Sequence, residues 1–500
     1  MNNSAPNILA PIFGDEPPLS VYEPFDDTPQ HIRVINETIN RFNDKYALVN
    51  EGGKVVIFQF GYDALMRRKR IDRLSTQDFN VLYLNEKIMV EPPGPKSQPK
   101  YSTVSKVWLT HRNRRQYING VAFNPTAQAS QDGVLNLWEG FAMRPVPGDW
   151  SLLRAHILSI ICQSDKVKFD YLMGWMARLI QFPAEQGEVA VVMKGGEGTG
   201  KGTLAKTLIK IIGQHSLAIS NAKHLVSNFN GHLRDAIFLF ADEAFFAGDK
   251  AHVGVLKSII TEPYLTVEAK FQNATQMPNF LHIMMASNEE WVIPASVDAR
   301  RFFVLEVSEE AKSNHAYFAE ILAQLDAGGY AAMLHDLLNY DLSGFNVRDV
   351  PRTDGLANQQ KLSLGVPELW WKDCLERGYI WRSKHGLEDV FHVWFSRAST
   401  DILYDSYMEF SKARRERNPM SREVLGRFMT KMYGKGAEIS KAAVGEHLTN
   451  EINPFGGVSR VAKPIIKTRA RGYLTGEIAA AREAFCESLG IAIEWGDGDA

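Results

Sequence analysis

Cysteine is scarce in this chain: Cys162, Cys374 and Cys486 stand far apart, with no CxxC spacing and no paired histidines. That argues against a disulfide framework and a zinc site, and it fits a reducing compartment. Long apolar runs are missing too, since no stretch approaches the roughly 18 residues a membrane span requires. The opening residues MNNSAPNILAPIFGDEPPLS have neither a basic start nor an apolar signal core. The expectation is a cytoplasmic protein with no membrane partner. A surplus of one charge sign is also lacking: 56 Lys and Arg face 58 Asp and Glu, a net charge of −2. Global charge therefore announces no nucleic-acid partner. Internal repeats and low-complexity tracts are absent.

What is present is a globular composition, 45% hydrophobic and 23% charged, over 500 residues, enough for two to four domains. Positive charge is local. Arg67, Arg68, Lys69, Arg70 and Arg73 form one cluster and Arg112, Arg114 and Arg115 a second. A third runs from Lys412 through Arg414, Arg415, Arg417, Arg422, Arg427 and Lys431 to Lys435. Each alone reads as a solvated face. Residues 1–28, rich in Pro, Asn and Asp, read as a flexible tail. YALVN and KVVIFQF around EGG predict a β-hairpin. Leu172, Trp175, Met176 and Leu179 share one helical face, ended by Pro183. From Glu188 to Val307 short apolar runs alternate with helical patterns, the signature of a parallel α/β sheet.

Within that region EVAVVMKGGEGTGKGTLAKTLIKIIG carries the most chemistry. A β run enters a glycine-rich loop, and a helix leaves it with Leu204, Leu208, Ile211 and Ile212 on one face. This is the context of a phosphate-binding loop. Gly195, Gly196, Gly198 and Gly200 let backbone N–H groups turn inward on phosphate oxygens, with Glu197 and Thr199 between them. The helix N-terminus adds partial positive charge. Lys201 supplies a point charge to the outer phosphates. The residue after it is Gly202 rather than the usual hydroxyl, and Thr203 follows, so Thr203 is the candidate Mg²⁺ ligand. The alternative is a glycine turn with a chance lysine.

About forty residues on, AIFLFADEAFF ends an apolar strand in Asp242 and Glu243. Asp242 would hold Mg²⁺ through water and Glu243 would act as general base. A third strand, FLHIMMASN, ends in Asn288, an amide able to position the water. Arg300 and Arg301 follow, and could stabilise charge on ATP bound to an adjacent subunit. The bland reading of those arginines is a structural pair bound to local carboxylates.

GGEGTGKGT, FADEAFF, LKSIITEPYLTVEAKFQNA and MMASNEEWVIPASVDARRFFVLEV together resemble the Walker A, Walker B, B-prime and C motifs of superfamily 3 helicases. They are most similar to the helicase part of phage and plasmid primase-helicases. The resemblance covers roughly residues 150 to 375 and takes in WWKDCLERGYIW and GVLNLWEGF. It implies an AAA+ core, a hexameric ring with ATP and Mg²⁺ between subunits, and 3′-to-5′ movement on single-stranded DNA. It further implies a bacterial host cytoplasm and a separate primase or polymerase as partner. The B-prime segment would be a pore hairpin over Leu265 to Gln276, with Lys270 on the DNA phosphate and Thr266 and Glu268 flanking it. A ring needs positive charge only along its channel, which reconciles a net charge of −2 with DNA binding.

The expected fold class is thus α/β, an AAA+ P-loop NTPase core with a parallel sheet. The expected layout is a tail (1–28), an α+β N-terminal domain (29–145), a helical collar (146–186), the core (187–310), a helical segment (311–380) and a mostly helical, winged-helix-like domain (381–500). The stretch RVAKPIIKTRARGY would be a basic wing able to touch duplex DNA; the alternative is a helical domain with a solvated basic face. Fewer than about 150 residues precede the core, a tight fit for a primase domain. Asp26 and Asp27 offer no metal triad, so no primase activity is expected. Two other readings compete with the helicase. GKGT also suits a nucleotide kinase, and a DNA-binding AAA+ initiator or loader would use the same ATP machinery without unwinding.

Overall fold

The computed structural model describes residues 29–64, 68–126, 130, 132–220, 230–243, 250–268, 274–293, 300–380, 390–452, 457–490, 493 and 495. The tail expected over residues 1–28 and Lys270 lie outside the described residues. The chain divides into two compact units. The first runs to Val292 and resumes over Arg300–Gly355; the second comprises Ile293 and the chain from Leu356 onward.

The first unit opens with α1 (Gln30–Lys45), which leads directly into β1 (Tyr46–Glu51). β1 turns back antiparallel into β2 (Lys54–Asp63), and β3 (Arg68–Leu74) extends the sheet. The turn is Gly52–Gly53 with φ of 59° and 82°, a left-handed pair that glycine adopts at least cost. The predicted hairpin is therefore present. Phe42, Tyr46, Phe79 and Trp108 pack edge to face beneath it, with the Tyr46 and Phe79 rings 5.0 Å apart. Several of the nearby cations pair with carboxylates. Arg73 and Arg234 both hold the buried Glu51, Lys69 meets Glu139 and Arg70 meets Asp72. Burial favours a neutral Glu51, but the two guanidiniums prevail and hold its carboxyl below the usual range.

α2 (Lys166–Gln181) starts at Asp165, whose side chain accepts from the N–H groups of Val167 and Lys168. Leu172, Trp175, Met176 and Leu179 are all fully buried on its inner face. The helix ends at Phe182, just before Pro183, as the spacing predicts.

At the centre lies a five-stranded parallel sheet of β4 (Ala190–Lys194), β5 (Ser216–Ile219), β6 (Phe238–Asp242), β9 (His282–Ser287) and β10 (Phe302–Glu306). Its spatial order is β5-β6-β9-β4-β10. These strands read as nearly continuous apolar runs because both faces are covered. Two short strands, β7 (Tyr264–Val267) and β8 (Thr275–Pro278), pair antiparallel as a separate ribbon. α3 (Lys201–Ile212) follows β4, buries Leu204, Leu208, Ile211 and Ile212, and stops at Gly213 with φ 74°. α4 (His315–Gln324) follows β10.

The second unit has its own core around Trp370 and Trp371 on α5 (Val366–Arg377). Both indoles are fully buried, and each N–H finds a partner: Ser406 Oγ at 2.9 Å and the Tyr433 hydroxyl at 3.1 Å. Those partners lie on α6 (Thr400–Ala413) and α7 (Arg422–Tyr433), each capped by a serine, Ser399 and Ser421. Before α6 comes a short strand, β11 (Arg397–Ser399). After α7 the chain forms a long antiparallel ribbon of β12 (Ala437–Ile452) and β13 (Val458–Leu474), closed by α8 (Ile478–Leu489). The strand content exceeds that of a mostly helical unit with a small wing: the basic stretch lies wholly within a strand of 17 residues.

Among the described residues no helix is long and apolar enough to cross a membrane.

Candidate functional site

The parallel register brings three strand ends together. Ser287 pairs with Lys194 and Asp242 with Ala286. Gly195 N–H donates to Ser287 O at 3.1 Å, and Glu243 N–H to Ala286 O at 2.9 Å. The glycine loop after β4, the Asp242–Glu243 pair after β6 and Asn288 after β9 thus share the carboxyl edge of three adjacent strands. They lie where the sequence order of the sheet breaks, with β4 inserted between β9 and β10. In open α/β sheets such a break opens a crevice suited to a ligand.

The loop is held in shape from within. Lys201 is buried, and its ammonium donates to the carbonyls of Gly195 and Gly196, both at 2.6 Å. Thr199 Oγ1 donates to Gly196 O at 2.9 Å. The N–H groups of Gly196 through Gly200 have no backbone acceptor among the described residues. Burial pulls the Lys201 ammonium below its usual value; Glu243, Asp242, Glu197 and Glu309 oppose that pull by attraction. One buried cation therefore sits in the field of four carboxylates. Glu243 is exposed and holds φ at 52°, a left-handed conformation that costs free energy in a non-glycine residue. Such strain gathers at sites where a side chain must be aimed. Asp242 and Asn288 are exposed, while Gly202 and Thr203 are half-buried at the start of α3.

The outer side of the loop rests on groups that sequence reasoning missed. A Cβ on Gly200, whose φ is 92°, would stand 2.5 Å from Cε1 and Nε2 of His156 and 2.7 Å from Phe318 Cε1. His156 is fully buried. Its Nδ1 meets the Tyr317 hydroxyl at 3.0 Å and its Nε2 has no hydrogen-bond partner. Burial lowers its pKa to about 4, so the ring is neutral near neutral pH. Ser313 N–H donates to Gly198 O at 3.3 Å, and Val307 packs on Gly195. His156 and Tyr317 lie 161 positions apart, and no local pattern marks either. His156 does precede a π-helical turn, Ile157–Ile161, a local widening that recurs near functional sites but is not readable from residue spacing.

Two predicted groups are not brought to the loop. Arg300 and Arg301 precede β10, whose first residue pairs with Ala190, so they stand at the opposite edge of the sheet from the loop. Five strand residues put the two edges about 17 Å apart. Arg300 is exposed; Arg301 Nε is buried without a hydrogen-bond partner among the described residues. Of the predicted hairpin, the flanking strands β7 and β8 are antiparallel, with Leu265 opposite Met277 and Thr266 opposite Gln276. Asn230 braces it, donating to Thr266 O at 2.9 Å and accepting from Glu268 N–H at 2.8 Å.

Residues 193–301 match a family model described as a family of unknown function, DUF5906. Over 234 residues the chain is 28% identical to the DNA primase-polymerase of Nitratiruptor phage NrS-1, an alignment covering 44% of this chain and 32% of that protein. The chain thus spans about a third of the length of the curated relative it matches. Among solved structures, the apo C-terminal region of NrS-1 superposes with a TM-score of 0.51 at 18% identity, covering 84% of this chain and 96% of that one. One of its A-form structures gives the same values. At that identity the likeness is one of fold.

Proposed function

We propose that this chain is an ATP-hydrolysing motor of the AAA+ P-loop class that works on single-stranded DNA during replication of a phage or mobile element, as a helicase or translocase. The observation that carries the reading is the shared carboxyl edge: the glycine loop that Lys201 grips, the Asp242–Glu243 pair and Asn288 follow three adjacent parallel strands, and the N–H groups of Gly196 through Gly200 lack backbone acceptors among the described residues. That donor set fits a triphosphate, and the carboxylate with Thr203 fits Mg²⁺, which when bound would neutralise phosphate charge.

In this reading Gly195 to Thr203 bind the phosphates through backbone N–H groups, and Lys201 exchanges its loop carbonyls for phosphate oxygens. Asp242, with Thr203, holds the metal. Glu243 accepts the proton of the attacking water and Asn288 orients that water. Arg300 and Arg301 complete the site of a neighbouring subunit, since each is remote from the loop of its own chain. Such head-to-tail contacts form a closed ring where the rotation between subunits closes, and a hexamer is expected. The sequence likeness to a phage DNA primase-polymerase supports replication as the setting.

Lys201→Ala and Glu243→Gln are each expected to abolish ATP hydrolysis, the second while retaining bound ATP. Substantial turnover by either variant refutes the roles assigned. Strand displacement on a tailed duplex then separates a motor from a loader, because a loader hydrolyses ATP without unwinding.

A further inference from the structure

We infer that one face of the C-terminal ribbon is a binding surface for the phosphate backbone of duplex DNA. On β13 the charged residues between Ala462 and Gly472 all fall on one face: Lys463, Lys467, Arg469 and Arg471, every one exposed. The alternate positions, Ala462, Pro464, Ile466, Thr468 and Ala470, carry no charge. Small side chains stand opposite the middle of the row, with Ala442 across from Lys467 and Ser440 across from Arg469, while Glu438 faces Arg471 and His447 faces Lys463. Arg397 joins it by donating to Ser440 O at 3.1 Å.

Some exposed cations elsewhere take up carboxylates, as Arg70 does with Asp72 and Lys100 with Glu91. On this row Lys463 meets Glu451, but Lys467, Arg469 and Arg471 make no ion pair among the described residues. Positions two apart on a strand place these cations about 7 Å from one another, close enough to repel. An unpaired row of like charge is complementary to a polyanion of regular spacing. The shape favours a duplex over a single strand. Where it is two strands wide the ribbon fits the roughly 12 Å width of the major groove; Val390–Phe391 joins it as a further strand at Arg460 and Val461. At 16 residues, β12 spans about 50 Å, more than one helical turn of DNA. Ile452 and Val458 pair at the far end and are 78% and 69% exposed, which suits apolar contact within a groove.

The test is anisotropy titration of the full chain, without nucleotide, against a short blunt duplex and the corresponding single strand over a range of salt. Lys467→Ala/Arg469→Ala/Arg471→Ala is expected to weaken duplex binding at least tenfold. It is also expected to lower the slope of log affinity against log salt by about 2–3. Arg469→Ala alone is expected to lower that slope by about one, and Lys467→Arg/Arg469→Lys/Arg471→Lys to keep it. An unchanged slope in the alanine variants, or a loss confined to the single strand, overturns the inference. Because no nucleotide is present, failure of the ATPase reading leaves this outcome untouched.

Discussion

Replacing Gly200 by alanine tests how the glycine loop is held. Gly200 is the residue before α3, with φ 92° and ψ 5°. Any side chain there meets two separate penalties. The left-handed backbone costs about 1–2 kcal/mol. The new methyl would also overlap the His156 ring at 2.5 Å and Phe318 at 2.7 Å. His156 cannot retreat, being fully buried and tied to Tyr317, so overpacking adds about 1–3 kcal/mol. A total near 3 kcal/mol is a large part of the ~5–15 kcal/mol that holds a domain together. At a urea dependence of about 1–3 kcal/mol per molar, the midpoint should fall by ~1–3 M. Titration with a fluorescent ATP analogue should show at least a tenfold loss of affinity, because the strained loop no longer presents its N–H groups. The cause is separable by a second substitution. His156→Ala leaves a cavity and is destabilising alone, yet it removes the overlap in Gly200→Ala. The double variant should therefore be more stable than additivity requires, by about 1–2 kcal/mol, with the backbone penalty remaining. Strict additivity within ~0.5 kcal/mol, or a Gly200→Ala protein with unchanged urea midpoint and nucleotide affinity, refutes the packing argument.

Acid stability gives a second test. Burial lowers the pKa of His156 and His215 to about 4 and of His282 to about 3. Below the ordinary value of about 6.5 the unfolded chain takes up protons that the folded chain refuses, so stability is full above that pH and falls as pH drops toward 4. Each ring contributes a slope of about 1.4 kcal/mol per pH unit, and a His282→Gln variant should flatten the pH dependence of stability by the slope of one ring; an unaltered profile refutes the assignment. For the arginines, Arg300→Ala subunits mixed with Lys201→Ala subunits should recover part of the ATPase activity, since intact halves meet across an interface. No recovery at any mixing ratio counts against action on a neighbour.

Local sequence carried the elements and the loop. Gly52–Gly53 needed no tertiary information to declare a turn, nor did the Leu204, Leu208, Ile211 and Ile212 face of α3, because backbone preference and apolar period act over a few residues. The order of apolar strand, glycine loop and helix, then acidic pair, then amide, was legible for the same reason. What the sequence could not contain was distance between segments far apart in the chain. Only the parallel register shows that Asp242, Asn288 and Gly195 share an edge while Arg300 stands at the other. Only packing reveals that His156 and Tyr317, with no motif of their own, back the loop. Charge behaved likewise. Basic stretches look alike as text, yet Glu51, Asp72 and Glu139 engage part of the cluster at residues 67–73, whereas Lys467, Arg469 and Arg471 of β13 make no ion pair among the described residues. Propensity is a property of neighbouring residues, but what a charge or ring does depends on what the fold sets beside it.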